Sequence, residues 1–343
     1  MKIFIVEPIE GGSIPIAHYC TKAFHQLGHD VFTFKGSMFL PVFNYIRKLT
    51  SGNSDHPLSR LFVQFLANTV QICIEEAAPE VVLGVSQSPL FPWNLSLCRK
   101  HRIITVFWFP EDCRRFLAWR QLALQSDYFF IIQKEPILSE VRKLCPRAAY
   151  LPLAADPEVH RPVKVDPDKK AYYGSDVSFV GAGYPNRLHA FKFLTNYNLK
   201  IWGNGWLSQG ATSLRPFVQD NSRRISVEEY VKVFNCSKIN INLHSSLNPQ
   251  DIGGDFINPR TFEIAACKAF QLVDRRTLIN EIFTNSEMVT FATIEDLRKL
   301  IDKFLANDDE RKEYAERAYR KVLTYHTYTH RISQILNIVC NDL

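Results

Sequence analysis

The chain has 343 residues and a mass of 39.6 kDa, room for about two domains, and its 46% hydrophobic and 22% charged content excludes disorder, collagen and coiled coil as whole-chain descriptions. Its 41 basic and 35 acidic residues leave a net charge of +6, carried by scattered doublets (Arg114-Arg115, Arg223-Arg224, Arg275-Arg276), so nucleic acid is not an expected partner and a small anionic ligand or an anionic membrane surface suits the surplus better. No apolar run approaches the roughly 18 residues of a membrane span, and the run 3–6 is cut off by Glu7 and Pro8 too early for a secretory core.

In chain order, residues 3–6 read as a strand that runs into the loop Glu7-Pro8-Ile9-Glu10-Gly11-Gly12. A helix is expected from Ser13, whose hydroxyl can cap it. Ile16, Cys20, Ala23 and Leu27 recur at helical spacing, and Gly28 is the natural stop. Residues 30–34 form a second strand, which completes a βαβ unit and implies a parallel sheet covered on both faces. An amphipathic helix is expected over 58–77. Residues 81–86, 103–109, 128–132 and 150–153 read as continuous apolar strands, the pattern of strands buried on both sides. Asp156-Pro157, Arg161-Pro162 and the stretch 165–170 are polar and proline-rich, a linker signature. Alternation then resumes: strand 177–180, helix 185–196, strand 199–202. Ser226-Val227-Glu228-Glu229 is a capping box opening a helix to about Asn235. Strand 239–243, helix 259–268 and strands 270–273 and 289–291 follow, and helices 293–305 and 308–323 close the pattern. The fold class predicted is α/β, two Rossmann-like doubly wound domains facing a central cleft, with ligands expected at the carboxyl ends of the strands.

The eight cysteines include no pair closer than Cys98 and Cys113, fifteen positions apart, so neither a zinc motif nor a CxxC is present and a reduced, cytoplasmic protein is expected. The one Asp-x-Asp, Asp166-Pro167-Asp168, lies in the polar stretch and not after a strand, so no metal is expected. The most informative segment is 253–268. Asn258 is a good N-cap and Pro259 suits the first helical position. The helix therefore starts with unpaired N–H groups and its positive dipole end, a ready anion site. Arg260 adds a forked cation in the first turn. Glu263, one turn on, either holds the hydroxyl pair of a ribose or sugar or merely favours the helix N-terminus. Glu111 and Asp112 end a central strand, where either could orient an acceptor hydroxyl or act as a base; the alternative is a helix cap by Asp112. His244 ends strand 239–243, as a catalytic candidate or a satisfied structural histidine. Trp202 and Trp206 either edge a base or sugar pocket or belong to the core. His18, His326 and His330 fit packing or surface positions.

A family resemblance emerges from several pieces of the second half. They are Val177-Ser178-Phe179-Val180-Gly181 with Tyr184-Pro185-Asn186-Arg187; Leu199-Lys200-Ile201-Trp202-Gly203-Asn204-Gly205-Trp206; Arg260-Thr261-Phe262-Glu263 through Ala266-Cys267; Phe270-Gln271-Leu272-Val273-Asp274-Arg275-Arg276; and His326-Thr327-Tyr328-Thr329-His330-Arg331. Together they resemble the GT-B glycosyltransferases, in particular the CgeB-type (spore maturation protein) family. The first half shares only the βαβ pattern and the Gly11-Gly12 loop. The resemblance implies an acceptor-side domain at 1–160, a nucleotide-sugar domain at 171–330, and a helix at 331–343 packing back on the first domain. It implies donor contacts from Gly12, Gly181, Tyr184, Arg187, Trp202, Gly203, Asp255, Asn258, Arg260, Thr261 and Glu263. Among these, Arg187, Arg260 and the N–H groups from Asn258 onwards would meet the diphosphate and Glu263 the ribose.

Retaining enzymes of this kind often carry two glutamates eight apart; Asp255 and Glu263 stand at those places, Asp255 with the shorter reach to sugar hydroxyls. Ala182 stands where an arginine is often found, and Lys268 where a glycine is common. The implied reaction moves a hexosyl group from a UDP- or GDP-sugar to a hydroxyl of a glycan, glycolipid or protein, with retention and without metal or other cofactor. If the enzyme inverts, Glu111 or Asp112 becomes the candidate base. Two other readings stand beside it: a nucleotide-sugar epimerase of the same fold, and a non-catalytic nucleotide-sugar-binding module. The expected place is the cytoplasm, with peripheral contact at the inner face of the cytoplasmic membrane left open.

Overall fold

The computed structural model describes residues 1–207 and 212–341. The chain divides into two compact units, Met1–Pro152 with Tyr328–Leu343, and Leu153–Thr327. Among the described residues no helix is long and apolar enough to cross a membrane.

The first unit contains β1 (Lys2–Val6), α1 (Ile14–Gln26), β2 (Asp30–Phe34), α2 (Leu40–Leu49), α3 (Pro57–Ala77), β3 (Val81–Val85), α4 (Pro92–Lys100), β4 (Ile104–Phe109), α5 (Trp119–Gln125), β5 (Tyr128–Ile131), α6 (Ile137–Arg142) and β6 (Ala148–Tyr150). Its six strands run parallel in the order β2-β1-β3-β4-β5-β6. The continuous apolar runs of β1, β3, β4 and β5 are buried almost throughout, as a sheet with helices on both faces requires. Ser13 precedes α1 but its hydroxyl caps nothing: its backbone is already helical (φ −87°, ψ −8°), which turns the side chain away from the cap position. The last strand lies at 148–150 and not at 150–153: the register with β5 ends at Ile131 opposite Tyr150, with one last bond from Leu151 N–H to the Ile131 carbonyl (2.8 Å).

The second unit contains α7 (Pro167–Tyr173), β7 (Val177–Val180), α8 (Pro185–Phe191), β8 (Leu199–Trp202), α9 (Val227–Cys236), β9 (Ile239–Asn242), α10 (Pro259–Ala266), β10 (Gln271–Asp274), α11 (Ile279–Ile282), β11 (Val289–Phe291), α12 (Ile294–Ala306) and α13 (Asp308–Tyr325). Its five strands are parallel in the order β11-β10-β9-β7-β8. The expected fold class of two doubly wound α/β domains is therefore what the chain adopts. The capping box at Ser226 forms as read: the hydroxyl accepts from Glu229 N–H (3.2 Å) and Glu229 accepts from Ser226 N–H (2.7 Å). The segment read as a linker is folded into this unit. Asp156 and His160 are buried, and residues 167–173 form α7.

The chain ends in α14 (Tyr328–Asn341), which packs on α1 within the first unit. There Thr329 bonds Gln26 (2.8 Å), Arg331 Nε donates to the carbonyl of Pro152 (2.7 Å), and the rings of Tyr19 and Tyr328 meet at 5.0 Å. The unit thus resumes at Tyr328, ahead of the expected 331; residues 342 and 343 of the expected final helix lie outside the described residues.

Candidate functional site

In the second unit the strand order reverses at β7. Its sequence neighbour β8 lies on one side and β9 on the other. Such a reversal opens a crevice at the carboxyl ends of the two diverging connections, the usual ligand position in doubly wound sheets. Four segments meet there: the loop after β7 leading into α8, the end of β9, the start of α10 and the end of β10.

The loop after β7 runs beside the loop after β8 at van der Waals contact. A Cβ on Gly203 (φ +123°) would lie 2.4 Å from the carbonyl of Gly181, and one on Gly183 would lie 2.5 Å from the carbonyl of Gly205. Gly181 N–H bonds the Trp202 carbonyl (2.9 Å) and Gly183 N–H that of Asn204 (2.8 Å). These glycines are there because two backbones cross without room for side chains. Trp202 and Trp206 are wholly buried. Trp202 stacks on Tyr173 (5.8 Å) in the core beneath α9, and Trp206 packs on Phe179 and Phe191. With no exposed surface, both rings belong to the core, against the placing of Trp202 among the donor contacts.

The start of α10 is fixed by two polar networks. Asn258 Oδ1 caps Thr261 N–H (3.2 Å), and its Nδ2 donates to Asn242 Oδ1 (2.8 Å). Asn242 Nδ2 in turn donates to Thr261 Oγ (2.9 Å), closing a ring of three side chains to which Gln271 is attached. Thr261 has no exposed surface, so its side chain, like that of Asn258, is spent on holding the helix start. The second network is built on His244. Asn258 N–H donates to His244 Nε2 (2.8 Å), which places the ring proton on Nδ1, 2.6 Å from Asp274 Oδ1. Asp274 also accepts from the N–H groups of His244 (3.0 Å) and Gly253 (3.2 Å) and pairs with Arg276.

Burial, aided by Arg276 and opposed by Asp274, pushes the imidazole of His244 down to about 4. Burial works against the Asp274 charge, but His244 and Arg276 hold the carboxyl well below its ordinary range. With both ring nitrogens occupied and the ring neutral, His244 is a positioning residue and not the catalytic group expected from its place after a strand. Arg276 keeps one buried donor, Nε, without a partner among the described residues.

The two expected phosphate cations differ. Arg187 is buried; its Nε donates to the Leu243 carbonyl and Nη1 to the Ala182 carbonyl (both 2.9 Å), and its guanidinium lies over the rings of Phe179 and Tyr184. Burial pulls its pKa down to about 10. Two of its five N–H donors therefore serve the backbone, so it is not the fully open phosphate cation expected. Arg260 is a quarter exposed (26%). It stacks 3.9 Å over the Tyr230 ring and pairs with Glu263. Burial opposes its charge, but Glu263 and then Tyr230 more than offset that and hold the guanidinium firmly protonated.

Glu263 is buried, with its other oxygen 3.7 Å from His160 Nε2. His160 bonds the Tyr230 hydroxyl (3.0 Å) and accepts from Asp156 N–H (3.1 Å); burial lowers its pKa, with Glu263 pulling the other way. Sequence reasoning missed His160, Tyr230, Asn242, Asp274 and Arg276 as parts of this centre. Only Asp274, directly after an apolar run and next to two arginines, carried a local signal. Asp255 lies in the loop ahead of α10, half-buried, with its carboxylate on its own Phe256 N–H (2.8 Å). The adjoining Gly254 (φ +152°) has no room for a Cβ beside Arg276.

In the first unit, Gly12 is exposed with open space around it. Its neighbour Gly11 (φ +100°) is the constrained one, since a Cβ there would strike Gln87. Asp112, after β4, accepts from Arg114 N–H, Arg114 Nε and Gln133 Nε2, all at 3.0 Å. It is a turn and loop anchor more than a free base. Glu111 makes no such set of contacts among the described residues; burial raises its pKa, partly offset by Arg115.

Residues 186–337 match the family model described as "Glycosyl transferase-like". The spore protein CgeB of Bacillus subtilis (strain 168) is 25% identical over 240 residues, 67% of this chain and 73% of CgeB. Sucrose-phosphate synthase from Thermosynechococcus elongatus superposes with a TM-score of 0.66 at 11% identity, covering 99% of this chain and 98% of that one. Anabaena HepE, solved in complex with UDP and glucose, gives a TM-score of 0.66 at 8% identity, covering 99% of this chain and 100% of that one. The fold is GT-B, and the resemblance to CgeB-type glycosyltransferases read from the sequence is borne out.

Proposed function

We propose that this chain, a GT-B-fold protein of the glycosyl transferase-like, CgeB-type kind, moves a hexosyl group from a UDP- or GDP-sugar to a hydroxyl of a glycan, glycolipid or protein. The observation that carries the reading is the start of α10: a capped, doubly anchored helix end at the strand-order reversal, with Arg260 a quarter exposed above Tyr230 and Glu263 beside it. Loss of a diphosphate leaving group is the costly event in sugar transfer. Arg260 and the α10 dipole face the developing charge, where fixed donors need no reorganisation. Glu263 exchanges its bond to Arg260 for the two ribose hydroxyls as the nucleotide enters, and Arg260 turns to the diphosphate. His244 and Asp274 keep the helix start aimed.

Retention of configuration is supported by the spacing of Asp255 and Glu263. In that case the acceptor hydroxyl attacks from the face the diphosphate leaves, and no protein nucleophile is required. Independence from metal is supported by the place of Asp166-Pro167-Asp168 at the start of α7, away from any strand end.

Incubation with a panel of nucleotide sugars, with and without excess chelator, tests the reading. A transferase leaks free nucleoside diphosphate and sugar slowly, and does so in chelator. Conversion of the sugar while still nucleotide-linked would make the protein an epimerase. Binding without either change would make it a non-catalytic module.

A further inference from the structure

Helix α2 buries none of its ten residues. Its inner stripe, Phe43 and Ile46, rests half-buried on the core of the first unit. A second apolar stripe points away from that core. Met38, in the turn ahead of α2, and Val42, Tyr45 and Leu49 follow at spacings of four, three and four residues, so they share one face. Each is at least half exposed. The neighbouring helix α3 carries a matching stripe, Leu61, Phe65 and Ile72, also more than half exposed. The two helices meet through Phe43 against Phe62 (6.3 Å), while Phe39 lies against Phe65 (6.1 Å). Seven large apolar side chains thus stand in water on adjoining helices. A monomer surface seldom leaves that much apolar area together without a partner.

Along α2 the charges are all basic, with Glu10, Asp55 and Glu76 bordering the patch. From Val31 to Ser54 the chain has Lys35, Arg47 and Lys48 and no acidic residue. Arg47 reaches Glu10 (3.1 Å) in an exposed pair, a contact that contributes little in water. Arg60, at the start of α3, is likewise paired only with exposed Asp55 (3.0 Å). A second copy of the chain on a two-fold axis would set these cations against themselves, because such an interface pairs a patch with itself. A bilayer with anionic headgroups answers both features: acyl chains take the apolar stripes, and phosphates take the lysines and arginines.

We propose that α2 and the outer face of α3 dock the first unit on an anionic membrane surface. The inference stands apart from the sugar-transfer reading, since none of these residues belongs to the centre in the second unit. The test is co-sedimentation of the full chain with vesicles of phosphatidylcholine alone and of phosphatidylcholine with an equal part of phosphatidylglycerol. The chain is expected to bind the mixed vesicles, more weakly as salt rises. Replacing Arg47→Gln with Lys48→Gln should weaken binding by about thirtyfold, at about one basic contact's worth each. The triple change Val42→Ser, Tyr45→Ser and Leu49→Ser should weaken it by about tenfold or more, from the apolar area lost. Thermal unfolding and nucleoside diphosphate release should be unchanged in both variants, because every altered side chain is exposed. Absence of binding to mixed vesicles overturns the proposal, as does binding indifferent to both variants. Concentration-dependent dimerisation abolished by the triple change would overturn it in favour of a second copy.

Discussion

Helices α8 and α10 both start on a proline with an arginine in the first turn, Tyr184-Pro185-Asn186-Arg187 and Asn258-Pro259-Arg260. The two starts share a sequence signature and differ in what the arginine does. At α8 there is no side-chain cap, and Arg187 turns inward to satisfy the carbonyls of Leu243 and Ala182. At α10 the cap is Asn258, the backbone is held by His244, and Arg260 is left to lie over an aromatic face with part of its fork open. The helix whose backbone is secured by other residues is the one whose cation can meet a ligand. At α8, two donors of Arg187 join Trp206 Nε1 and Asn186 Nδ2 in satisfying the backbone carbonyls around the helix start.

The largest expected break is at the anchor. Asp274→Ala leaves buried Arg276 and His244 without their partner, and removing one member of a buried ion pair costs about 3–5 kcal/mol. Thermal unfolding should show the largest fall of any variant named here; a nearly unchanged melting temperature would mean that α10 is held by something else.

The next effect is on pH. His244 titrates near 4 in the fold, against about 6.5 in the unfolded chain. The unfolded chain takes up the proton first, so stability is full above about 6.5 and falls as pH drops from there to about 4, by on the order of 1–3 kcal/mol. Asp274, depressed in the fold, acts in the same sense at lower pH. Denaturant titrations across this range should give a slope that His244→Asn flattens and Arg187→Met leaves intact.

The two arginines then separate. Arg187→Met strands the Leu243 carbonyl, while that of Ala182 keeps Tyr184 N–H, and should cost about 2 kcal/mol of stability, with little direct loss of nucleotide affinity. Arg260→Gln keeps a donor for Glu263 and should leave the melting temperature nearly unchanged, while lowering nucleoside diphosphate affinity by about tenfold. Calorimetric titration and thermal unfolding of both variants would reveal a reversed pattern at once. Glu263→Gln sharpens the same contrast. It should weaken nucleoside diphosphate binding by about tenfold and hardly affect a 2′,3′-dideoxy nucleotide. A lowered melting temperature with unchanged affinity would make Glu263 structural.

What was legible in the sequence follows from how local each signal is. The Ser226 box and the Asn258-Pro259 start are encoded within four residues and appear as read. Strands β7, β8 and β11 coincide with their short apolar runs; β7 and β8 are buried at nearly every residue, while the edge strand β11 buries only Phe291. Helix α2 escaped notice because its apolar residues occupy two stripes, one inward and one outward, which blurs the amphipathic period. The polar, proline-rich stretch at 156–170 looked like a linker, yet His160 is wholly buried against Tyr230. Its burial depends on a helix seventy positions away that no local pattern reveals. His244 was found by its place after a strand, but its role was set by Asp274 on the adjacent strand, a partner visible only once the sheet order is known.

The membership of α14 has a consequence for synthesis. The first unit is discontinuous, closed by a helix that follows the entire second unit in the chain. On the ribosome, α1 and the carbonyl of Pro152 must wait for Arg331 and Thr329 until the second unit has already emerged. The second unit, continuous in sequence, can complete its own fold first. A chain halted before Tyr328 would therefore release a finished second unit carrying an unfinished first one, with the side of α1 that should receive α14 left open to chaperones and proteases.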